Sequence, residues 1–425
     1  MKNLNVLVFP CGSEIGLEIH RSLKFSNHVN LIGASSVQDH GRMMYETYIG
    51  GLPFYSEKGF LEVLNSIVEQ YEIDAIYPAM DSVISFLSKN KFELNCNLIT
   101  PEADTTELCL SKTKTYQFYH KLIKTPTVYS KLNDIRSFPV FMKPDIGYGS
   151  RGAKKIHSIS EGEEHLKLFP TSIILEYLPG NEYTVDCFTN RHGELLFAGA
   201  RERKRIQNGI SVQTVPVQDE DSFLKIAEKI NKTLKFRGAW FFQVKENINQ
   251  ELVLLEIASR LAGSSSLYRN LGINFALLSI YDAFNIDVKI FCNNYNIELD
   301  RALTNRYRID IKYNSAYIDF DDCLLIKGKI NIDLVKFIYQ LINEQKLVVL
   351  ITKHKNNIIE TLKEYKLLQL FDEIIHLEAT DKKYNYIPDK DVIFIDDSYA
   401  ERYEVHKNLS IPVFAPDNIE ALMHI

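Results

Sequence analysis

Cysteine pairs at metal-binding spacing are missing from this chain. Its six cysteines (Cys11, Cys96, Cys109, Cys187, Cys292 and Cys323) are scattered and form no C-x-x-C. That excludes a zinc ribbon and argues against a disulfide framework, so free thiols in a reducing compartment are expected. No apolar run approaches the roughly 18 residues that a membrane span needs. The start, Met-Lys-Asn-Leu-Asn, runs into a strand pattern without a signal-peptide layout, and the expectation is a cytoplasmic protein with no membrane partner. An excess of basic charge is missing too: 49 Lys and Arg stand against 55 Asp and Glu, a net charge of −6. No electrostatic footprint for nucleic acid follows from that balance. Internal repeats and low-complexity segments are absent. What remains is a globular composition, and 425 residues exceed one ordinary core, so roughly two to four domains are expected.

Residues 1 to about 105 alternate strand and helix patterns. Asn5–Phe9, Val29–Ala34, Ala75–Pro78 and Asn97–Thr100 read as strands of an open parallel sheet with flanking helices. Gly12-x-x-x-Gly16 lacks the full dinucleotide fingerprint and reads as a tight turn with close helix packing.

From about residue 106 the pattern changes. An apolar strand ends in Lys143, and a glycine-rich hairpin follows with Gly147, Gly149, Ser150 and Gly152. Glycines let backbone N–H groups close over phosphates, while the lysine reaches their oxygens. The stretch Glu176-Tyr-Leu178-Pro-Gly breaks a strand and frees backbone groups to bond an adenine edge, with Glu182 placed to accept from ribose hydroxyls. Gln243 and Glu256 each interrupt an apolar strand, as oxygen ligands for Mg²⁺ would. A basic cluster, Arg201 to Arg205, reads by itself as a solvated charged face, and Tyr268, Arg269 and Asn274 are pocket candidates alongside plain helix packing.

Residues 1 to about 305 resemble the ATP-grasp carboxylate–amine ligases, in particular those related to the large chain of carbamoyl phosphate synthase. The resemblance implies a parallel-sheet pre-ATP-grasp domain over 1–105. An ATP-grasp domain with antiparallel sheets would follow over 106–305, with a lid at about 125–182. It implies that Lys112 and Lys143 bind ATP phosphates, that Gly147 to Gly152 cover them, and that the backbone of Glu176 and Leu178 holds adenine. Glu182 would hold ribose, Gln243 and Glu256 would hold Mg²⁺, and Arg260 would stabilise an acyl phosphate. The resemblance also turns the basic cluster toward the acyl-acceptor site, where Arg203 or Arg205 would hold a substrate carboxylate. Ala258 stands where the family usually carries an asparagine ligand.

The last segment carries its own chemistry. Tyr317-Ile-Asp319-Phe-Asp321-Asp is an apolar strand ending in three carboxylates, at the sheet edge where α/β proteins bind ligands. Lys346–Thr352 ends in a hydroxyl suited to a phosphate oxygen. Asp381-Lys382-Lys383 offers a cation, and Val392–Ile395 runs into Asp396 and Asp397, with Glu401 one turn later. Hard oxygen ligands suit Mg²⁺, and a neighbouring aspartate can attack a phosphoryl group. In this order the motifs resemble the haloacid dehalogenase superfamily, over 313–425. The resemblance implies a Rossmann-like α/β domain with Asp319 as nucleophile and metal ligand, Asp321 as general acid/base and metal ligand, and Asp397 as metal ligand. Thr352 would bind phosphate and Lys383 would steady the phosphoryl-aspartate, with Lys382 its rival. Cys323 replaces the more usual Thr or Val. The short separations between motifs leave no room for a cap domain.

The expected whole is an α/β and α+β multidomain enzyme using ATP and Mg²⁺. It would join a carboxylate to an amine through an acyl phosphate and couple this to a phosphatase acting on a phosphorylated substrate. The alternatives are a phosphatase with a nucleotide-binding module, or a ligase with a non-catalytic C-terminal domain. A homodimer is the expected assembly.

Overall fold

The computed structural model describes residues 3–147, 151–218, 221–302 and 305–423. Its first sheet has five parallel strands, in the order Thr47–Gly50, Val29–Ser35, Leu4–Phe9, Ala75–Pro78, Asn97–Leu98. Leu4–Phe9 sits in the middle because Val6, Leu7 and Val8 are apolar on consecutive positions and bury on both faces. The helix Glu14–Leu23 starts at Ser13, whose hydroxyl accepts from the Gly16 amide at 2.9 Å. Gly16 leaves no room for a Cβ, which would lie 2.4 Å from the Cys11 carbonyl oxygen. The first helix therefore presses directly on the turn that precedes it.

Two antiparallel sheets follow. The smaller orders Val128–Tyr129, Ser172–Glu176, Val140–Pro144 and Lys154–Ile156. The larger has seven strands, in the order Leu252–Ala258, Gly238–Glu246, Glu182–Thr189, Leu195–Gln207, Ile210–Pro216, Ile297–Arg301, Asn305–Ile309. Trp240 anchors its far face: the indole stacks on Phe236 at 4.1 Å and donates to the Thr189 hydroxyl at 2.8 Å. Alternation then sends Phe241, Gln243 and Lys245 to the opposite face.

The last sheet is again five-stranded and parallel, ordered Glu373–His376, Leu347–Thr352, Ser315–Ile318, Val392–Ile395, Val413–Phe414. Between Asp319 and Lys383 the described residues add only a small hairpin (Leu325–Ile326 with Lys329–Ile330), two helices, a short 3₁₀ turn and two strands of the sheet itself. Nothing folds there into a separate cap.

Arg269 joins all three bodies. Fully buried, it donates to Glu18 of the first helix at 3.0 Å and to the Asp417 carbonyl of the last body at 2.7 Å. Asn418 donates to the Arg269 carbonyl at 2.9 Å, and Asn274 to the Asp417 carboxylate at 3.1 Å. Arg269 and Asn274, weighed as pocket residues, are thus spent on a junction. Tyr268 is likewise buried, its hydroxyl bonded to the Ala200 carbonyl at 2.8 Å. A buried guanidinium needs its acceptors nearby, and those come from distant parts of the chain. Among the described residues, no helix is long and apolar enough to cross a membrane.

Candidate active sites

A cavity of about 430 Å³ lies between the two antiparallel sheets, lined among others by Lys112, Lys143, Glu182, Gln243 and Glu256. Gln243 and Glu256 sit directly opposite each other on antiparallel strands. Facing residues of such a pair hold their Cβ atoms about 4.5–5.5 Å apart, so the carboxamide and carboxylate present neighbouring oxygens.

Two lysines approach from the other side. Lys112 opens the helix Lys112–Tyr119, and its ammonium donates to the Asp145 carbonyl at 3.1 Å. Asp145 fixes this corner, accepting from the Ser111 hydroxyl at 2.8 Å and the Thr113 amide at 2.6 Å. Lys143 donates to the Leu255 carbonyl at 3.2 Å. Burial pushes both ammonium groups below their ordinary range, and the Glu256 charge pulls them partly back. Among the described residues neither lysine has a carboxylate at ion-pair distance. Desolvated cations with carboxylates only at longer range are costly, and a polyanion in the cavity would offset that cost.

The remaining residues of this site divide. Glu182 accepts from Arg203 and, at 3.2 Å, from Lys245. Arg203 also donates to the Gln243 side-chain oxygen at 3.1 Å and to the Gly209 carbonyl at 2.7 Å. Arg203 therefore lines the cavity. Arg205 faces away, held by both oxygens of Asp300 at 2.8 and 2.9 Å. Glu176 and Leu178 line the wall, and the Glu176 carboxylate accepts from the Thr127 amide at 2.8 Å. Gly147 borders the cavity. Gly152 has φ 71°, a left-handed conformation that suits glycine, and a Cβ there would meet the Phe169 ring. Gly149 and Ser150 lie outside the described residues. Ala258 packs with Phe241 and Ala262, so an apolar patch stands at that ligand position.

Arg260 shows what the sequence did not. Its guanidinium is gripped by both oxygens of Asp81 at 2.8 and 2.7 Å, a fork-to-fork pair with the first body. Asp81 begins the helix Asp81–Lys89, beyond the strand Ala75–Pro78. An aspartate in a helix first turn carries no signal by itself. Only the fold brings it to a residue 179 positions away. If Arg260 serves the acyl phosphate that the family resemblance implies, Asp81→Asn should lower substrate-dependent ADP release about 10- to 100-fold while leaving ATP affinity unchanged, because it frees Arg260 to wander. Calorimetric ATP binding beside steady-state kinetics checks this split, and weakened ATP binding would contradict it.

In the last body, Asp319, Asp396 and Asp397 bring carboxylate oxygens within 4.8 Å of one another. Lys383 lies between two of them, 2.6 Å from Asp319 and 2.6 Å from Asp396. Burial and then the Asp396 charge hold the Asp319 carboxyl well above the usual range. Burial, followed by Asp396 and Asp322, pushes Asp397 up to about 7. Burial opposes the Lys383 charge, yet its two carboxylates outweigh that and raise it. Thr352 ends the neighbouring strand, and its buried hydroxyl has no partner among the described residues. Asp321 departs from the expected ligand set. Its half-exposed carboxylate turns to His354 Nδ1 at 2.9 Å, and Asp396 takes its place in the cluster. Glu401 is paired with Lys353 at 2.6 Å and Lys382 is absent from the cluster's contacts.

Residues 168–299 match the protein family described as ATP-grasp in the biosynthetic pathway with Ter operon. A D-alanine–D-alanine ligase from Fusobacterium nucleatum is 30% identical over 142 residues, 31% of this chain and 50% of that protein. The chain thus spans about half the length of this curated relative. Among solved structures, the biotin carboxylase domain of Hydrogenobacter thermophilus 2-oxoglutarate carboxylase, in complex with MgADP, ADP and bicarbonate, covers 71% of this chain and 75% of its own. Its TM-score is 0.59 at 14% identity. An L-amino acid ligase from Bacillus licheniformis covers 71% of this chain and 80% of its own, with a TM-score of 0.57 at 16% identity. At such identities the likeness is one of fold, and the fold that this chain carries is ATP-grasp.

Proposed function

We propose that the chain is an ATP-dependent carboxylate–amine ligase whose nucleotide site is the cavity between the two antiparallel sheets. The observation that carries this is the pair of lysines, buried Lys112 and half-buried Lys143, that line the cavity opposite the Gln243–Glu256 oxygens without a carboxylate at ion-pair distance among the described residues. The ligase activity of the Fusobacterium relative and the ADP bound in the Hydrogenobacter structure support the same reading. Gln243 and Glu256 are hard oxygen donors that fit Mg²⁺, which when bound would neutralise charge on the nucleotide phosphates.

In the proposed reaction a substrate carboxylate oxygen attacks the γ-phosphorus of ATP, the bond to the β-phosphate oxygen breaks, and ADP departs. An amine then attacks the acyl carbon of the resulting acyl phosphate, inorganic phosphate leaves, and the ammonium proton passes to solvent. Lys112 and Lys143 offset the charge on the transferring group, and Arg260, aimed by Asp81, stabilises the acyl phosphate. Leu178 and the Glu176 backbone seat the base, and Glu182 the ribose.

A second activity has its own support in Lys383 lodged between Asp319 and Asp396. A haloacid dehalogenase-like phosphatase would use Asp319 to attack a phosphomonoester at phosphorus, with Asp321 protonating the departing alcohol oxygen. Water would then cleave the aspartyl phosphate, releasing phosphate and restoring Asp319. The carboxylate cluster fits a hard divalent cation such as Mg²⁺, which would offset phosphoryl charge there.

The test is ADP release from MgATP by the Asp319→Asn protein against a panel of amino acids and small carboxylates. Substrate-dependent release supports the ligase. ATP binding without turnover across the panel would favour a phosphatase with a nucleotide-binding module.

A further inference from the structure

The imidazole of His354 is held at both of its nitrogens. Nδ1 lies 3.0 and 2.9 Å from the two oxygens of Asp321, and Nε2 lies 3.0 Å from the Thr361 hydroxyl. Thr361 belongs to the helix Ile358–Glu364, and its hydroxyl is within 3.2 Å of the Asn357 carbonyl. The ring meets the buried Phe320 ring edge-on, at 5.2 Å and 81°. The backbone is pinned as well, because the His354 carbonyl accepts from His376 Nε2 at 2.7 Å.

So many restraints on one side chain are more than a surface carboxylate needs. Asp321 is half exposed and water could satisfy it, and an exposed charge pair adds little to stability. What the framework does supply is direction. His354 follows Thr352 by two residues, and the strand Leu347–Thr352 runs parallel to and beside Ser315–Ile318, which leads into Asp319 and Asp321. The Asp319 side chain is 8% exposed and that of Asp321 48%. In an in-line displacement the leaving oxygen departs opposite the attacking one. With Asp319 on the floor of the site, that oxygen points toward solvent, the side on which Asp321 is exposed.

We propose that His354 is the positioning residue for Asp321, keeping this carboxyl out of the aspartate cluster and aiming it at the departing oxygen of a phosphomonoester. This rests on the phosphatase reading of Asp319. An Asp319 oxygen bonds to phosphorus as the ester P–O bond breaks, and the Asp321 carboxyl gives its proton to the leaving oxygen. When water cleaves the aspartyl phosphate, its proton returns to Asp321. His354 touches neither phosphorus nor the leaving group and acts through the carboxyl that it holds.

The experiment compares kcat/KM for phenyl phosphate and p-nitrophenyl phosphate in the full chain with Mg²⁺. The two esters are close in shape, but phenoxide is the far poorer leaving group and depends more on a proton donor. His354→Ala should lower the phenyl-to-nitrophenyl ratio about tenfold or more, a part of what general acid catalysis supplies. His354→Asn, which keeps an N–H near the Nδ1 position, should restore most of the ratio and separates lost aim from lost fold. Asp321→Asn should show the same selective loss, and adding His354→Ala to it should cost nothing further. Equal losses on both esters, or losses that add in the double variant, would overturn the positioning role, while abolished turnover in Asp319→Asn would keep the phosphatase. A parent that hydrolyses neither ester, or whose turnover survives Asp319→Asn, would overturn the phosphatase reading and the role of His354 with it.

Discussion

Lys143→Ala is expected to cut substrate-dependent ATP turnover about a hundred- to a thousandfold. Removing a single fixed donor from a dry, preorganised site typically costs that much. Lys143 lies half-buried on the cavity wall and is a charged donor rather than a neutral one, so the upper end of the range applies. Its loss should be cheap for the fold. The Leu255 carbonyl that it contacts also accepts from the Tyr116 hydroxyl at 2.7 Å, so no backbone oxygen is left bare. Burial already holds the ammonium below its ordinary range, which means that the native state bears a cost the variant sheds. A melting temperature equal to or above the parent's, with turnover lost, is the expected pair of results. Lys143→Arg should remain far below the parent, because a guanidinium fork cannot enter where a point charge fits. Turnover within threefold of the parent in the alanine variant would place the phosphates elsewhere.

Much of this architecture was legible because local pattern and tertiary role coincide. The run Val6-Leu7-Val8 can only be a strand covered on both faces, and the polar interruptions Gln243 and Glu256 stand out because their neighbours are apolar. The antiparallel register that pairs those two needs the hairpin to close, but alternation already puts them on one face. Asp81 and Asp145 were not legible. Each is an ordinary acidic residue near a helix or strand end, and each acquires meaning from a partner supplied by another segment. Arg269 misled for the same reason: an arginine beside a predicted pocket and an arginine at a three-way junction read alike until Glu18 and Asp417 arrive. In the last segment the strand ends carry the cluster, yet Asp321 turns outward to His354. A two-residue spacing alone does not fix where a carboxylate points once the strand has ended.

Asp319→Asn is expected to abolish phosphomonoester hydrolysis, by on the order of a thousandfold or more, as loss of a covalent nucleophile does. The same substitution should not destabilise the protein. Asp319, Asp396 and Asp397 crowd three carboxylates around one lysine, and burial with the Asp396 charge already drives Asp319 toward its neutral form. An amide matches the shape, removes a like charge, and leaves Lys383 paired with Asp396 at 2.6 Å. Measured in chelator-treated buffer, the variant's melting temperature should equal or exceed the parent's. Restoring Mg²⁺ should raise the parent's melting temperature more than the variant's, because binding to the native state alone stabilises it in proportion to affinity. Opposite signs for activity and stability are the mark of a group kept under strain for chemistry. A variant that loses stability together with activity would mean that Asp319 serves Lys383 as a structural counter-ion, and the C-terminal body would then act as an interaction domain attached to the ligase.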